Sequence, residues 1–192
     1  MLNYPLELSF KIATMGTRVR VVDAPGRQVA YLRKKKFRLK EDVRVYEDED
    51  QSRLLFRIRA DRVVDFGASY AVSSPEGRPL GAVRQQGVRS IWKSTFEVSD
   101  PLGKKIGMIH EENPFIKVLD SLAEAIPFAD ALFFNPAYLV DLGGERVLRM
   151  QKERSVFESR FRLDRLGDFS EDEEDLLLAS LMLVLLLERD RG

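Results

Sequence analysis

The chain of 192 residues contains no cysteine, a single histidine and no excess of either charge. The lack of cysteine excludes a disulfide framework and thiolate chemistry, and it fits a protein in a reducing compartment. Because 31 basic residues balance 31 acidic residues, net charge gives no reason to expect a nucleic-acid partner. The first residues show neither a basic segment nor a long apolar stretch, so we expect no signal peptide and a cytoplasmic location.

Catalytic and cofactor-binding motifs are also missing. The sequence has no Gly-x-Ser-x-Gly elbow, no phosphate-binding glycine loop and no Gly-x-Gly-x-x-Gly fingerprint. The single histidine, His110, follows a strand-like alternation that would point it outward. The acidic residues 47–50 lack the glycine and the later glutamate of an EF-hand loop. We therefore expect no catalytic residues, no metal and no cofactor. A pair of carboxylates that are distant in sequence but close in the fold could still act in catalysis, and no motif would reveal it.

No hydrophobic run is long enough to cross a membrane. The longest, Leu176 to Leu187, has twelve residues and is apolar except for Ser180. As a helix it would reach roughly 18 Å, against a hydrocarbon core of about 30 Å. A helix that is apolar on every side has to be surrounded by other parts of the fold. The run therefore predicts that the rest of the chain encloses its own C-terminal helix.

The start and end of this helix are marked in the sequence. Ser170 and Glu173 have the spacing of a capping box, in which each side chain bonds the backbone of the other. The carboxylates at 171–175 suit the positive end of the helix dipole, and Arg189 and Arg191 suit the negative end. The pattern predicts a helix over 171–189.

An internal repeat describes what could surround the helix. Four twelve-residue segments align without gaps, starting at residues 21, 72, 98 and 139. Each has an aliphatic residue, then Asp or Ser, then a turn that ends in glycine, and then alternating apolar residues. In the segment Asp100-Pro101-Leu102-Gly103, each residue type suits its position in a β-turn. In the first segment the proline comes one place later, which predicts a turn of a different type.

The repeats predict a mainly β fold. A fifth hairpin is expected around residues 47–52, between apolar runs at 43–46 and 54–58. Five hairpins, together with strands at 4–13, 92–98 and 159–163, give about a dozen short strands, which is typical of a sandwich or barrel. A closed barrel of about twelve strands would bury all sides of the C-terminal helix and would leave no sheet edge exposed. We therefore predict a closed β-barrel that encloses a hydrophobic C-terminal helix.

One amphipathic helix is expected to interrupt the strands. Asn113 and Pro114 form a favourable helix start, and apolar residues on one side then continue to Ile126, before Pro127. We expect a single domain over residues 1–192. Its parts would be a barrel at 4–165, a helical elaboration at 113–136 and a central helix at 171–189.

These features resemble the LURP-one-related family, which is grouped with the tubby C-terminal and phospholipid scramblase domains. The resemblance lies in the Val-x-Asp-x-x-Gly hairpins, in the segment 92–103 and in the closing apolar helix. It implies a twelve-stranded barrel threaded by its C-terminal helix, over nearly the whole chain. It implies little about function, because plant members are linked to defence, tubby domains bind phosphoinositides, and scramblases are lipid-associated. Residues 114–136 depart from the simple hairpin expected of the family.

A basic segment is the first candidate for a functional surface. Residues 33–40 alternate cations with Phe37 and Leu39, so a strand would place cations on one face. Such a row could bind anionic lipid headgroups; alternatively, it is a solvated outer strand whose lysines discourage edge pairing. The candidate residues are Arg33, Lys34, Lys35, Lys36, Arg38 and Lys40.

An aromatic segment at 126–134 is the second candidate. Exposed, Phe128, Phe133 and Phe134 would form a partner-binding patch; buried, they would close one mouth of the barrel.

Two hypotheses about function follow. The first is a non-catalytic binding or scaffold protein that meets an unknown protein partner on its surface. The alternative is a peripheral protein that binds anionic lipid headgroups, such as phosphoinositides or other phospholipids, through the basic strand. An uncharacterised enzyme comes third. If the helix fills the barrel, ligands must bind outside the barrel or the helix must leave it.

Overall fold

A computed structural model describes residues 1–13, 16–34, 42–62, 68–86, 95–112, 137–153 and 159–189. Within these residues the chain forms twelve strands and one helix. The strands are β1 (Leu6–Ala13), β2 (Gly16–Val22), β3 (Gln28–Lys34), β4 (Val43–Tyr46), β5 (Leu54–Arg62), β6 (Ser69–Ser73), β7 (Pro79–Gln85), β8 (Thr95–Ser99), β9 (Lys105–Glu111), β10 (Ala137–Leu142), β11 (Glu145–Glu153) and β12 (Ser159–Arg165). The helix, α1, spans Glu171–Arg189.

The strands form a closed antiparallel barrel in sequence order. Each strand pairs with the next one along the chain, and β12 closes the barrel against β1, where Leu8 lies opposite Phe161. This arrangement confirms the predicted fold class. Because every neighbour is antiparallel, the turns after β2, β4, β6, β8 and β10 all lie at the end of the barrel where α1 begins. We call this the helix-start end.

The repeated turns share one hydrogen-bonding pattern. In three of the four predicted segments, an Asp or Ser side chain accepts a hydrogen bond from the backbone N–H four residues later. The pairs are Asp23–Arg27 (2.8 Å), Ser74–Arg78 (3.2 Å) and Asp100–Lys104 (2.9 Å). The glycine of each turn has a positive φ, between 80° and 88°. The difference expected for the first turn is therefore absent from its hydrogen bonds.

The fourth aligned segment does not share this turn, whereas the fifth predicted hairpin does. Gly143 and Gly144 both have positive φ and form a two-residue connection, so Asp141 lies within β10 and does not cap a turn. Between β4 and β5, Asp48 accepts from the N–H of Ser52, and Gln51 takes the glycine position with φ of 58°. The hairpin was predicted, but it was not aligned with the repeat because Gln51 replaces the glycine.

The helix is enclosed, as the apolar run predicts. Every side chain from Leu176 to Leu187 is at most 6% exposed, and these residues belong to the same apolar core as the inward-facing strand residues. Ser180 satisfies its hydroxyl by donating to the backbone oxygen of Leu176. The capping box also forms: Ser170 N donates to Glu173 Oε2 at 2.7 Å, and Glu173 N donates to Ser170 Oγ at 3.3 Å. The predicted bounds 171–189 match α1.

Several predicted features lie outside the described residues. They are the amphipathic helix at 114–126, the whole of the elaboration at 113–136, and the first part of the strand at 92–98. The strand expected at 4–13 begins at Leu6, and the strand expected at 159–163 continues to Arg165.

Candidate binding surfaces

The predicted basic strand is described only at its start. Strand β3 ends at Lys34, and Arg33 is exposed on the outer wall of the barrel. The other candidates, Lys35, Lys36, Arg38 and Lys40, lie outside the described residues. The sequence raised the question whether other cations lie close to this strand. The strands on either side of β3 provide the answer.

Arg33 belongs to a larger group of outward-facing arginines on four adjacent strands. On β2 and β5, the arginines alternate with buried residues of the core, such as Val19 and Ile58. Neighbouring strands lie about 4.8 Å apart, so the group covers one continuous part of the wall. We call it the arginine face; its members are Arg18, Arg20, Arg33, Arg44, Arg57 and Arg59.

Two pairs within the arginine face place like charges directly opposite each other. Arg18 on β2 faces Arg33 on β3, and Arg44 on β4 faces Arg57 on β5. Such cross-strand pairs of like charge destabilise a sheet. In the described part of the chain, the face makes one carboxylate ion pair, between Arg44 Nε and Asp42 Oδ2 at 3.3 Å. The Nε atom of Arg57 is buried and has no hydrogen-bond acceptor there.

Arginines elsewhere on the wall are matched differently. Arg149 Nη2 lies 2.8 Å from Glu112 Oε2, Arg162 Nε lies 2.9 Å from Asp164 Oδ1, and Arg165 Nη2 lies 3.1 Å from Asp168 Oδ1. Each of these three arginines has a carboxylate partner, whereas five of the six arginines of the arginine face have none among the described residues. The period-two spacing of Arg18 with Arg20, and of Arg57 with Arg59, was a signal available in the sequence. That these two strands lie on the same side of the barrel could be read only from the strand order.

The aromatic candidates Phe128, Phe133 and Phe134 lie outside the described residues, so the choice between a partner patch and a barrel plug stays a prediction.

His110 lies on the outer wall, as its strand alternation predicts. Its Nε2 is 2.9 Å from Asp141 Oδ2, and Asp141 Oδ1 is 3.6 Å from Arg146 Nε. Asp141 is available for this contact because its hairpin uses the Gly143-Gly144 turn. Among the described residues, no hydroxyl is hydrogen-bonded to His110. The described residues therefore place a carboxylate, but no nucleophilic hydroxyl, in hydrogen-bond contact with His110.

A cavity of about 280 Å³ opens at the helix-start end. It is bounded by the first turns of α1, by the N-terminal residues, and by the hairpins β2–β3 and β4–β5. We call it the mouth cavity. Its apolar lining includes Val29, Leu55, Phe56 and Leu178. Its charged lining consists of Arg27, Glu47, Arg53, Glu171, Glu174 and Asp175.

One side of the mouth cavity is acidic. The carboxylate of Glu174 is buried and accepts hydrogen bonds from Leu2 N at 3.0 and 3.2 Å. The ammonium group of Met1 lies 3.1 Å from Glu171 Oε1 and 3.8 Å from Glu174 Oε2. Asp175 also lines the cavity; desolvation, together with repulsion from Glu174 and the other nearby carboxylates, raises its pKa. Among the described residues, Asp175 has no hydrogen-bond or ion-pair partner.

The other side of the mouth cavity carries two arginines. Arg27 Nη2 lies 3.2 Å from Asp23 Oδ2, and Arg53 Nη1 lies 3.4 Å from Glu47 Oε2. Both guanidinium groups are largely exposed. A guanidinium has five N–H donors, so a single carboxylate leaves donors available on each. The cavity therefore offers anionic groups on one side and hydrogen-bond donors on the other.

The described residues contain no group of three or more potential metal ligands, and no helix among them is both long enough and apolar enough to cross a membrane. A scan against protein-family models and a search of curated proteins found no match to the chain. The assignment to a LURP-one-related family thus remains a resemblance.

Proposed function

We propose that the protein is a non-catalytic binding protein that docks on anionic phospholipid surfaces through its arginine face. The observation that carries this proposal is the cross-strand register, which places Arg18 opposite Arg33 and Arg44 opposite Arg57. Like charges directly opposite each other destabilise a sheet, and an anionic surface would replace that repulsion with attraction.

The chemistry of arginine supports this choice of ligand. A guanidinium group can donate two parallel hydrogen bonds to one phosphate, whereas an ammonium acts as a point charge. Cations near an anionic membrane surface each contribute about 1 kcal/mol, so six arginines supply enough attraction for reversible docking. The resemblance to tubby domains, some of which bind phosphoinositides, points to the same chemistry.

The enclosed helix supports a surface site over an interior one. Leu176 to Leu187 occupy the barrel, so a ligand of ordinary size has no room inside while α1 is in place. The same filling removes the deep, water-excluding cleft that catalysis on a small substrate usually needs.

Vesicle co-sedimentation tests the proposal. We compare vesicles of phosphatidylcholine with vesicles that also contain phosphatidylserine or a phosphoinositide. The test variant carries Arg18→Gln, Arg20→Gln and Arg33→Gln. The matched control carries Arg146→Gln, Arg149→Gln and Arg160→Gln, which remove the same charge from arginines that have carboxylate partners.

We expect the wild type and the control to sediment with anionic vesicles and the test variant to remain in solution. Binding of the wild type should weaken as salt is raised, because the attraction is electrostatic. A further variant, Lys34→Ser with Lys35→Ser and Lys36→Ser, extends the test to the predicted basic strand. If the wild type, the arginine-face variant and the lysine variant all sediment equally with anionic vesicles, this face does not dock on lipid.

A further inference from the structure

We propose that the mouth cavity is a binding site for a small zwitterion that carries an ammonium group at one end and a carboxylate at the other, in the manner of an amino acid. The site would lie at the helix-start end, and it would bind a different ligand from the arginine face.

The acidic side of the cavity has the stronger charge. Glu171, Glu174 and Asp175 together carry three negative charges, and the Met1 ammonium supplies one positive charge nearby. The Met1 ammonium lies 3.1 Å from Glu171 Oε1, so this side already holds one ammonium group. Asp175 has no cationic partner within hydrogen-bond distance in the described residues, so a ligand ammonium can pair with its carboxylate.

The arginine side favours a singly charged anion. Arg27 and Arg53 are each paired with a carboxylate of their own hairpin, Asp23 and Glu47. These pairs are close to neutral, so they attract a doubly charged phosphate weakly. Their remaining N–H groups can still donate to a carboxylate, whose two oxygens match the planar guanidinium.

The size and lining of the cavity limit the rest of the ligand. A volume of about 280 Å³ is near the lower end of the range for small-molecule sites. The apolar side chains of Val29, Leu55 and Leu178 also line the cavity and suit a short aliphatic spacer.

Calorimetric titration with defined probes tests the proposal. The probes are 3-aminopropanoate, 4-aminobutyrate and 6-aminohexanoate, compared with butylamine and butyrate, which each carry only one charged end. At least one zwitterion should bind about tenfold more tightly than either singly charged probe, because it forms charge-assisted hydrogen bonds at both ends. If butylamine binds as tightly as every zwitterion, or if no probe binds at millimolar concentration, the proposal is wrong.

Variants locate the binding. Asp175→Asn and Arg53→Gln should each weaken binding of the best zwitterion about tenfold, whereas Arg146→Gln, on a different part of the wall, should leave it unchanged. Asp175 is exposed and has no hydrogen-bond or ion-pair partner among the described residues, so Asp175→Asn should fold. The triple variant of the arginine face should also bind normally, which separates this site from lipid docking. Unchanged affinity in both cavity variants would overturn the assignment.

Discussion

Gly81 on β7 lies directly against Leu176 on α1. A Cβ atom added to Gly81 would come within 2.8 Å of Leu176 Cδ2 and would overlap the carbonyl oxygen of Ser99 on β8. The barrel wall and the helix therefore approach each other here as closely as a residue without a side chain allows. Gly107 has the same position in its own aligned segment, and its Cβ would meet the carbonyl oxygen of Asp141.

Gly81→Ala should lower the free energy of unfolding by about 3 kcal/mol, because overpacking and an unfavourable φ of 150° act together. Gly77→Ala is the control, since its φ is also positive but its Cβ would have no atom within 4 Å. The control should cost about 1–2 kcal/mol. Equal losses in urea denaturation would show that the helix does not press on β7.

Gln51→Gly should stabilise the protein. Gln51 has φ of 58° in a turn where three equivalent positions are occupied by Gly26, Gly77 and Gly103. Glycine removes the steric cost of positive φ, and its greater freedom in the unfolded chain offsets part of that gain, so we expect a net gain of about 0.5–1 kcal/mol. Thermal denaturation measures the change. A lower melting temperature for Gln51→Gly than for the wild type would contradict this reading of the turn.

Asp23 should make stability depend on pH. Desolvation raises its pKa, but hydrogen bonds from Arg27 N and Asn3 Nδ2, together with the Arg27 guanidinium, outweigh that effect and hold the pKa below its ordinary value. The folded state therefore favours the carboxylate, so this stabilisation is complete above the ordinary pKa and is lost as pH falls through the lowered one. Asp23→Asn should melt below the wild type at pH 7, and the gap should narrow towards pH 3. A gap that is independent of pH would argue against this account.

Replacing an arginine of the arginine face should raise or preserve the melting temperature but weaken vesicle binding. Arg33→Gln removes the like charge opposite Arg18, so we expect the melting temperature to stay unchanged or to rise, with a gain of up to about 1 kcal/mol. The same variant should bind anionic vesicles less tightly. Arg149→Gln, which breaks the pair with Glu112, should show no such gain. A marked loss of stability in Arg33→Gln would mean that Arg33 has a structural role.

Local patterns in the sequence predicted most of the described fold. The capping box of Ser170 and Glu173, the Asp-capped turns and the apolar run depend on residues close together in the chain, so their chemistry can be read directly. The arginine face and the mouth cavity could not be predicted in the same way. They exist because the closed strand order brings β2 to β5 side by side, and because two hairpins meet the start of α1.

Two local features were also missed, for physical reasons. Gly81 and Gly107 occupy the same place in their repeats, but the need for glycine there comes from another strand's carbonyl oxygen and, at Gly81, from Leu176. Asp141 aligns with the turn-capping residues, but the additional glycine, Gly143, together with Gly144 forms a shorter turn, and the Asp141 carboxylate contacts His110 instead.

A charge placed in the middle of α1 tests whether the barrel depends on the enclosed helix. Leu181 is fully buried, so Leu181→Asp would place a carboxylate in the core without a partner. Leu102→Asp is the matched control, because Leu102 is 93% exposed at a hairpin tip. By differential scanning calorimetry, Leu181→Asp should show no cooperative unfolding transition, as should a chain truncated at Asp175, whereas Leu102→Asp should unfold like the wild type. A sharp transition at the wild-type temperature for Leu181→Asp or for the truncated chain would show that the barrel folds without an enclosed apolar helix.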